Sequence, residues 1–193
     1  MATGLLGGTF DPVHLAHLIV AEAALEDLSL DRVIFMPCAE PPHKPDRGIT
    51  DVRHRLEMAR RATADNPRLE VSELEASRTA PSYTIDTVRE LKQTLGEGEL
   101  THFIMGSDSL EQFFAWKQPL ELLAECEFAV VVRPGFDMSG ADPRILERAR
   151  ILRAPQVDIS SSDIRRRVRD GRTIRYMVPS GVSDYIVEKK LYS

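Results

Sequence analysis

Apolar runs of strand length alternate with amphipathic stretches of helix length along most of this chain, and that alternation narrows its folds more than any other feature. Residues 4–8, 33–36, 69–74, 102–105 and 128–132 read as strands, the second stopped by Pro37 and the last closed by Arg133-Pro134-Gly135. Residues 15–28, 53–64, 84–95 and 120–124 read as the intervening helices; in the first, Leu15, Ile19, Ala23 and Leu25 fall on one helical repeat. Strands separated by helices need crossover connections, so the expected fold class is α/β, a doubly wound parallel sheet with helices on both faces. From residue 160 the pattern becomes two helices, 160–170 and 182–191, expected as a C-terminal helical cap on the sheet's edge or mouth. No repeat or low-complexity tract interrupts the 193 residues, so residues 1–193 read as one domain, with 160–193 its C-terminal helical part.

Charge and cysteines exclude several functions. Lys and Arg total 25 against 30 Asp and Glu, a net charge of −5, which argues against gripping a nucleic-acid backbone. Bound phosphates are therefore expected to meet local positive groups. Cys38 and Cys126 stand far apart in no metal-type spacing and read as reduced thiols. No stretch approaches the ~18 apolar residues of a membrane span, and no leader segment is evident, so the expectation is a cytoplasmic protein with no nucleic-acid or membrane partner.

Ligands of open parallel sheets bind beyond the carboxyl ends of the strands, which draws attention to the string after the first strand. It runs Gly7-Gly8-Thr9-Phe10-Asp11-Pro12-Val13-His14-Leu15-Ala16-His17. Glycines admit backbone N–H groups close to a phosphate, and the helix that follows adds its positive end. His14 and His17, three apart on a first helical turn, share a face and can donate to phosphate oxygens. Read alone, the same residues also fit a glycine turn with incidental histidines, or half of a metal pair lacking further ligands by spacing. Near the C-terminus, Ile159-Ser160-Ser161-Ser162-Asp163-Ile164-Arg165 combines a serine helix cap with an arginine one turn in, able to fork onto phosphate. Arg166, Arg167, Arg169, Arg172 and Arg175 read as a solvated face. The irregular, Pro-rich segment 38–50 is long enough to be functional.

The first string resembles the G-x-F-D-P-x-H-x-G-H signature of the adenylyl and cytidylyl transferase superfamily, with Ala16 where that pattern has glycine. The second resembles its I-S-S-T-x-I-R motif. Further strings, Pro41-Pro42-His43-Lys44, Pro81-Ser82-Tyr83-Thr84-Ile85-Asp86-Thr87, Met105-Gly106-Ser107-Asp108 with Trp116 after it, Arg133-Pro134-Gly135 and Tyr176-Met177-Val178-Pro179, resemble the bacterial nicotinate-nucleotide adenylyltransferases over residues 7–192. The resemblance implies a Rossmann-like fold and an enzyme of NAD biosynthesis that joins AMP from MgATP to nicotinate mononucleotide, giving deamido-NAD and pyrophosphate. It implies catalytic roles for His14, His17 and Arg165. It implies ATP contacts from Gly7, Gly8, Thr9, Phe10, Gly106, Asp108, Ser160, Ser161 and Ser162, Asp108 being equally readable as a helix cap. His43, Lys44 and Arg133 would meet the mononucleotide's phosphate, with Thr84 and Trp116 framing its ring. Mg²⁺ would arrive with ATP, without a protein metal site. His54 is expected to be exposed and His102 structural.

Four alternatives differ in class or acceptor. A phosphopantetheine adenylyltransferase shares both outer motifs but not the P-P-H-K or P-S-Y-T-I-D-T strings, and nicotinamide mononucleotide is the other alternative acceptor. A non-catalytic nucleotide sensor has no need of His14, His17 and Arg165 together. A dehydrogenase needs G-x-G-x-x-G, which Gly7-Gly8-Thr9 does not provide.

Overall fold

The computed structural model describes residues 1–39, 48–78, 82–96, 98–133 and 135–193. Six parallel strands form one sheet in the order β3-β2-β1-β4-β5-β6. In chain order they are β1 (Thr3–Gly8), β2 (Arg32–Pro37), β3 (Leu69–Val71), β4 (Leu100–Gly106), β5 (Glu127–Val131) and β6 (Ala149–Ile151). The helices are α1 (Leu15–Asp27), α2 (Val52–Thr63), α3 (Thr84–Leu95), α4 (Pro119–Glu125), α5 (Pro143–Leu146), α6 (Ser161–Arg169) and α7 (Ser180–Glu188). The strand order reverses between β1 and β4, and the crevice at such a switch point is where ligands bind in open α/β sheets.

Alternation along each strand divides the core between the two faces of the sheet. Leu6, Val33, Phe35, Ile104 and Ala129 pack on one side with α1, α2, α6 and α7; Leu5, Ile34, Met36, Phe103, Met105, Phe128 and Val130 pack on the other with α3, α4 and α5. Continuous apolar runs in β2 and β5 follow from burial on both faces. Gly4, mid-strand in β1, has no room for a side chain: a Cβ there would lie 2.7 Å from Leu30 Cδ1 and 2.8 Å from Ile104 Cδ1. Among the described residues no helix is long and apolar enough to cross a membrane.

Three sequence expectations change. The third strand ends at Val71, not residue 74: the Ser72 N–H donates to Phe35 O at 2.9 Å as the last rung, and the chain then turns. Leu74 packs its side chain on the core from that turn, which mimics strand alternation. The sixth strand and α5 were not anticipated, since three residues, Ala149-Arg150-Ile151, make an edge strand too short and too exposed to leave a pattern. The C-terminal helices do not sit on the sheet's edge. Ile164, Val182, Tyr185 and Ile186 bury against the α1/α2 face, and only the serine end of α6 reaches the mouth.

Candidate active site

A cleft of about 730 Å³ opens at the carboxyl ends of the central strands. Gly7, Gly8, Thr9 and Phe10 line it from the turn after β1, and His14, Ala16 and His17 from the start of α1. Gly106 and Asp108 follow β4, Arg133 follows β5, and Ser160, Ser161, Ser162 and Arg165 belong to the amino end of α6. Thr84 opens α3, and Trp116 closes the 3-10 turn Phe113–Ala115. The structure thus gathers into one cavity every sequence-predicted site residue it describes. His43 and Lys44 lie outside the described residues.

The histidine pair is built by the helix end itself. His14 is the N-cap of α1, and its backbone N–H donates to His17 Nδ1 at 3.2 Å. That bond fixes the His17 tautomer, leaving its proton on Nε2, and the ring must be neutral for Nδ1 to accept. A reciprocal side-chain cap is not made: His14 Nδ1 is buried without a partner among the described residues. The rings stack with centroids 3.7 Å apart and 22° between planes. Burial, reinforced by the Arg133 charge, lowers the His14 pKa to about 4. Burial, the neighbouring His14 and Arg133 drive that of His17 well below its ordinary value. Two neutral N–H donors therefore stand beside the positive end of α1. The Phe10 ring meets His17 edge-on at 4.9 Å and lies 3.0 Å from where a Gly8 Cβ would be, so any larger residue at 8 would displace it.

Arg165 is held from one side only. Its Nη1 donates to Asp11 O at 2.6 Å, and its Nη2 reaches Ser162 Oγ at a long 3.4 Å. Ser160 Oγ caps α6 by accepting from Asp163 N at 3.1 Å, and Ser161 Oγ donates to Pro12 O at 2.9 Å, docking the helix on the turn after β1. Across the cleft, Arg133 N donates to Ser107 Oγ at 3.0 Å while its exposed guanidinium lies 3.5 Å from Asp108. Trp116 packs its edge on Phe103 and is tilted against Phe113. Lys117, beside it, pairs with Asp86 at 2.9 Å and lies over the Tyr83 ring, tying the tryptophan segment to the start of α3.

Several residues at the site were not singled out from sequence. Arg55 is fully buried and donates to four carbonyls: Thr50 at 2.8 Å, Thr9 at 2.8 Å, Cys38 at 2.7 Å and Ala39 at 2.8 Å. It pins the turn after β1 to both ends of the segment that follows β2. Its position in a charged helix gave no sign of this beyond a 3.6-residue phase shared with Met58 and Ala62. Glu75 is buried and accepts from Thr87 Oγ1 at 2.7 Å; burial pushes its pKa up despite that bond and the nearby Arg78 charge. His54 is half-buried, not exposed as expected, because its Nδ1 meets Tyr185 OH of α7 at 2.9 Å. His102 stays structural on β4, its Nδ1 2.9 Å from Thr101 Oγ1. Cys38 lines the cleft, and Cys126 is buried with its thiol pKa pushed up to about 12. Among the described residues no three His, Cys, Asp or Glu side chains converge as a metal site.

Residues 5–167 match the model of the cytidylyltransferase-like family. A Thermoanaerobacter sp. protein named "Probable nicotinate-nucleotide adenylyltransferase" is 41% identical over 98% of this chain and 93% of its own length. A Geobacter metallireducens protein of the same name is 43% identical over 100% of this chain and 99% of its own. Among solved structures, Plasmodium falciparum nicotinic acid mononucleotide adenylyltransferase complexed with NaAD superposes with a TM-score of 0.81 at 23% identity, covering 99% of this chain and 97% of that one, a likeness of fold. The chain therefore belongs to the cytidylyltransferase-like family and, within it, to the nicotinate-nucleotide adenylyltransferases.

Proposed function

We propose that the chain, acting as one domain in the cytoplasm, transfers the adenylyl group of MgATP to nicotinate mononucleotide, giving deamido-NAD and pyrophosphate for NAD biosynthesis. The observation that carries this is the stacked, neutral His14–His17 pair at the amino end of α1, sharing its cleft with Arg165 and Arg133. Such a site offers hydrogen-bond donors and positive charge to a reacting phosphate.

In the reaction, an oxygen of the acceptor phosphate attacks the α-phosphorus of ATP. A new P–O bond forms as the bond to the departing pyrophosphate breaks, and its electron pair leaves on the bridging oxygen. The acceptor phosphate is a dianion near neutral pH, so no proton has to be removed. What remains for the protein is positioning and charge stabilisation. His17 Nε2–H and the His14 ring donate to oxygens of the α-phosphate as charge moves onto the leaving group. Gly7, Gly8, Thr9 and Phe10 bring backbone against the nucleotide, and Gly106 and Asp108 border its ribose. Arg165, with Ser160, Ser161 and Ser162, holds the outer phosphates that leave. Arg133, with His43 and Lys44, takes the acceptor's phosphate, and Thr84 and Trp116 frame its pyridine ring. Mg²⁺ would come with ATP and would supply charge neutralisation on its phosphates, with no dedicated carboxylate cluster among the described residues to hold it.

Incubation with MgATP and nicotinate mononucleotide, followed by chromatography and a pyrophosphate assay, tests this. The expected result is one deamido-NAD per pyrophosphate, and neither product when one substrate is left out. Product with phosphopantetheine instead, or ATP consumption without a dinucleotide, overturns the reading.

A further inference from the structure

Asp11 belongs to the turn that lines the cleft, yet its carboxylate faces away from solvent, with the residue 3% exposed. A buried carboxylate has to be matched by donors. One comes from the far end of the chain: Tyr192, next to last in the sequence, donates its OH to Asp11 Oδ1 at 2.7 Å. The Thr50 N–H donates to Oδ2 at 3.3 Å. The Tyr192 backbone is left-handed, with φ 67°, and its hydroxyl also approaches the Thr50 side chain and lies 3.9 Å from Met58 Sδ.

The third charged group is Arg165. Its Nη1 lies 3.9 Å from Asp11 Oδ2, too far for a hydrogen bond, and donates instead to the backbone oxygen of the same residue at 2.6 Å. The guanidinium is thus anchored by a neutral carbonyl, and its other nitrogen is held only by the 3.4 Å contact to Ser162. The arginine keeps its charge and one edge for the cleft because the carboxylate beside it is satisfied elsewhere. Without the Tyr192 hydroxyl, Asp11 Oδ1 would lose its 2.7 Å donor, and Arg165 Nη1 stands 3.9 Å from the other oxygen of the same carboxylate. A shift of about one ångström would turn that 3.9 Å approach into a direct ion pair. An arginine so paired has its charge offset and its fork turned away from a phosphate.

We propose that Tyr192 is a positioning residue for ATP binding, acting through Asp11 to keep Arg165 free for phosphate. This rests on the reading that Arg165 holds the outer phosphates of ATP. The test is a double-mutant cycle of Tyr192→Phe and Arg165→Ala, with KM for ATP, KM for nicotinate mononucleotide and kcat measured for all four proteins. Tyr192→Phe keeps the ring and removes one hydroxyl. It is expected to raise KM for ATP roughly tenfold, the scale of one charged hydrogen bond, and to leave kcat and the acceptor KM within about twofold. In the Arg165→Ala background the same change should leave KM for ATP as it is. Deletion of Tyr192 and Ser193 repeats the measurement without a phenyl ring beside Asp11, and should behave alike. An equal rise in both backgrounds, a rise in the acceptor KM instead, or no rise at all overturns the inference while the role of Arg165 stands. If Arg165→Ala itself leaves ATP binding unchanged, the underlying reading falls and the inference with it.

Discussion

At the scale of single residues, the chemistry rests on how two imidazoles are kept neutral. His17 accepts the His14 backbone N–H, so its proton is on the ring nitrogen left for ligand, and stacking against His14 opposes a charge on either ring. If His17 stabilises charge in the transition state, His17→Ala should lower kcat by roughly 10²–10³, the usual result of losing one such donor. Acceptor KM should barely change; steady-state kinetics on the folded variant check this, and turnover like the parent's would remove His17 from the reaction. The same burial has a cost that shows in stability. The His14 pKa is about 4 in the folded protein against about 6.5 unfolded, so below pH 6.5 the unfolded chain binds more protons. Stability is complete above pH 6.5 and is lost as pH falls towards 4, by on the order of 3 kcal/mol from this one group. Urea unfolding of the ligand-free protein at several pH values should show that fall, and His14→Asn should flatten it. An unchanged slope in the variant would mean that other groups carry the acid sensitivity.

At the scale of elements, α6 turns a serine run into one wall of the cleft, where the proposed function places ATP's outer phosphates. Ser160 caps it, Ser161 docks it on Pro12, and Arg165 emerges one turn later into the cleft, while Arg167 on the same helix bonds Thr173 O at 2.9 Å instead. Arg165→Ala should weaken ATP binding by about 1.5–3 kcal/mol, and Arg165→Lys should recover only part of it, since an ammonium lacks the fork. Arg167→Ala is the control and should leave the affinity unchanged; calorimetric titration of the three variants with ATP decides. Equal weakening by Arg165→Ala and Arg167→Ala would mean a diffuse basic face. The elements that could be read in the sequence are those whose signal is local. The glycine turn, the H-x-x-H pair on α1 and the serine cap of α6 are each contained within a few residues, and so are the apolar runs of β2 and β5. Asp11, Arg55 and Tyr192 could not be given roles that way. Tyr192 meets Asp11 across 181 positions, and Arg55 sits in a helix where two of the other three arginines, Arg53 and Arg60, face solvent. Only the crossovers of a folded sheet bring those groups to one turn.

At the scale of the whole molecule, reversal of strand order between β1 and β4 opens one cleft with two ends. α1 and α6 border one end, and α3 with the Trp116 segment borders the other. The second end bears on acceptor choice. α3 has no side-chain cap among the described residues, and its Asp86 and Thr87 N–H groups donate to Tyr83 O, so the N–H groups of Thr84 and Ile85 are the candidate donors at this end. Lys117, beside Trp116, is engaged by Asp86 and Tyr83. On the proposed reading, backbone donors distinguish a carboxylate from an amide: both oxygens of nicotinate can accept, whereas the NH₂ of nicotinamide would face another donor. Mispairing of a buried polar group costs about 1–3 kcal/mol, which corresponds to discrimination of roughly 10- to 100-fold. The most direct measurement is kcat/KM for nicotinate mononucleotide and for nicotinamide mononucleotide at one fixed MgATP concentration. Adenylyl transfer in this cleft to the acid predicts a preference for nicotinate mononucleotide of at least about tenfold; equal values, or a preference for the amide, would contradict it.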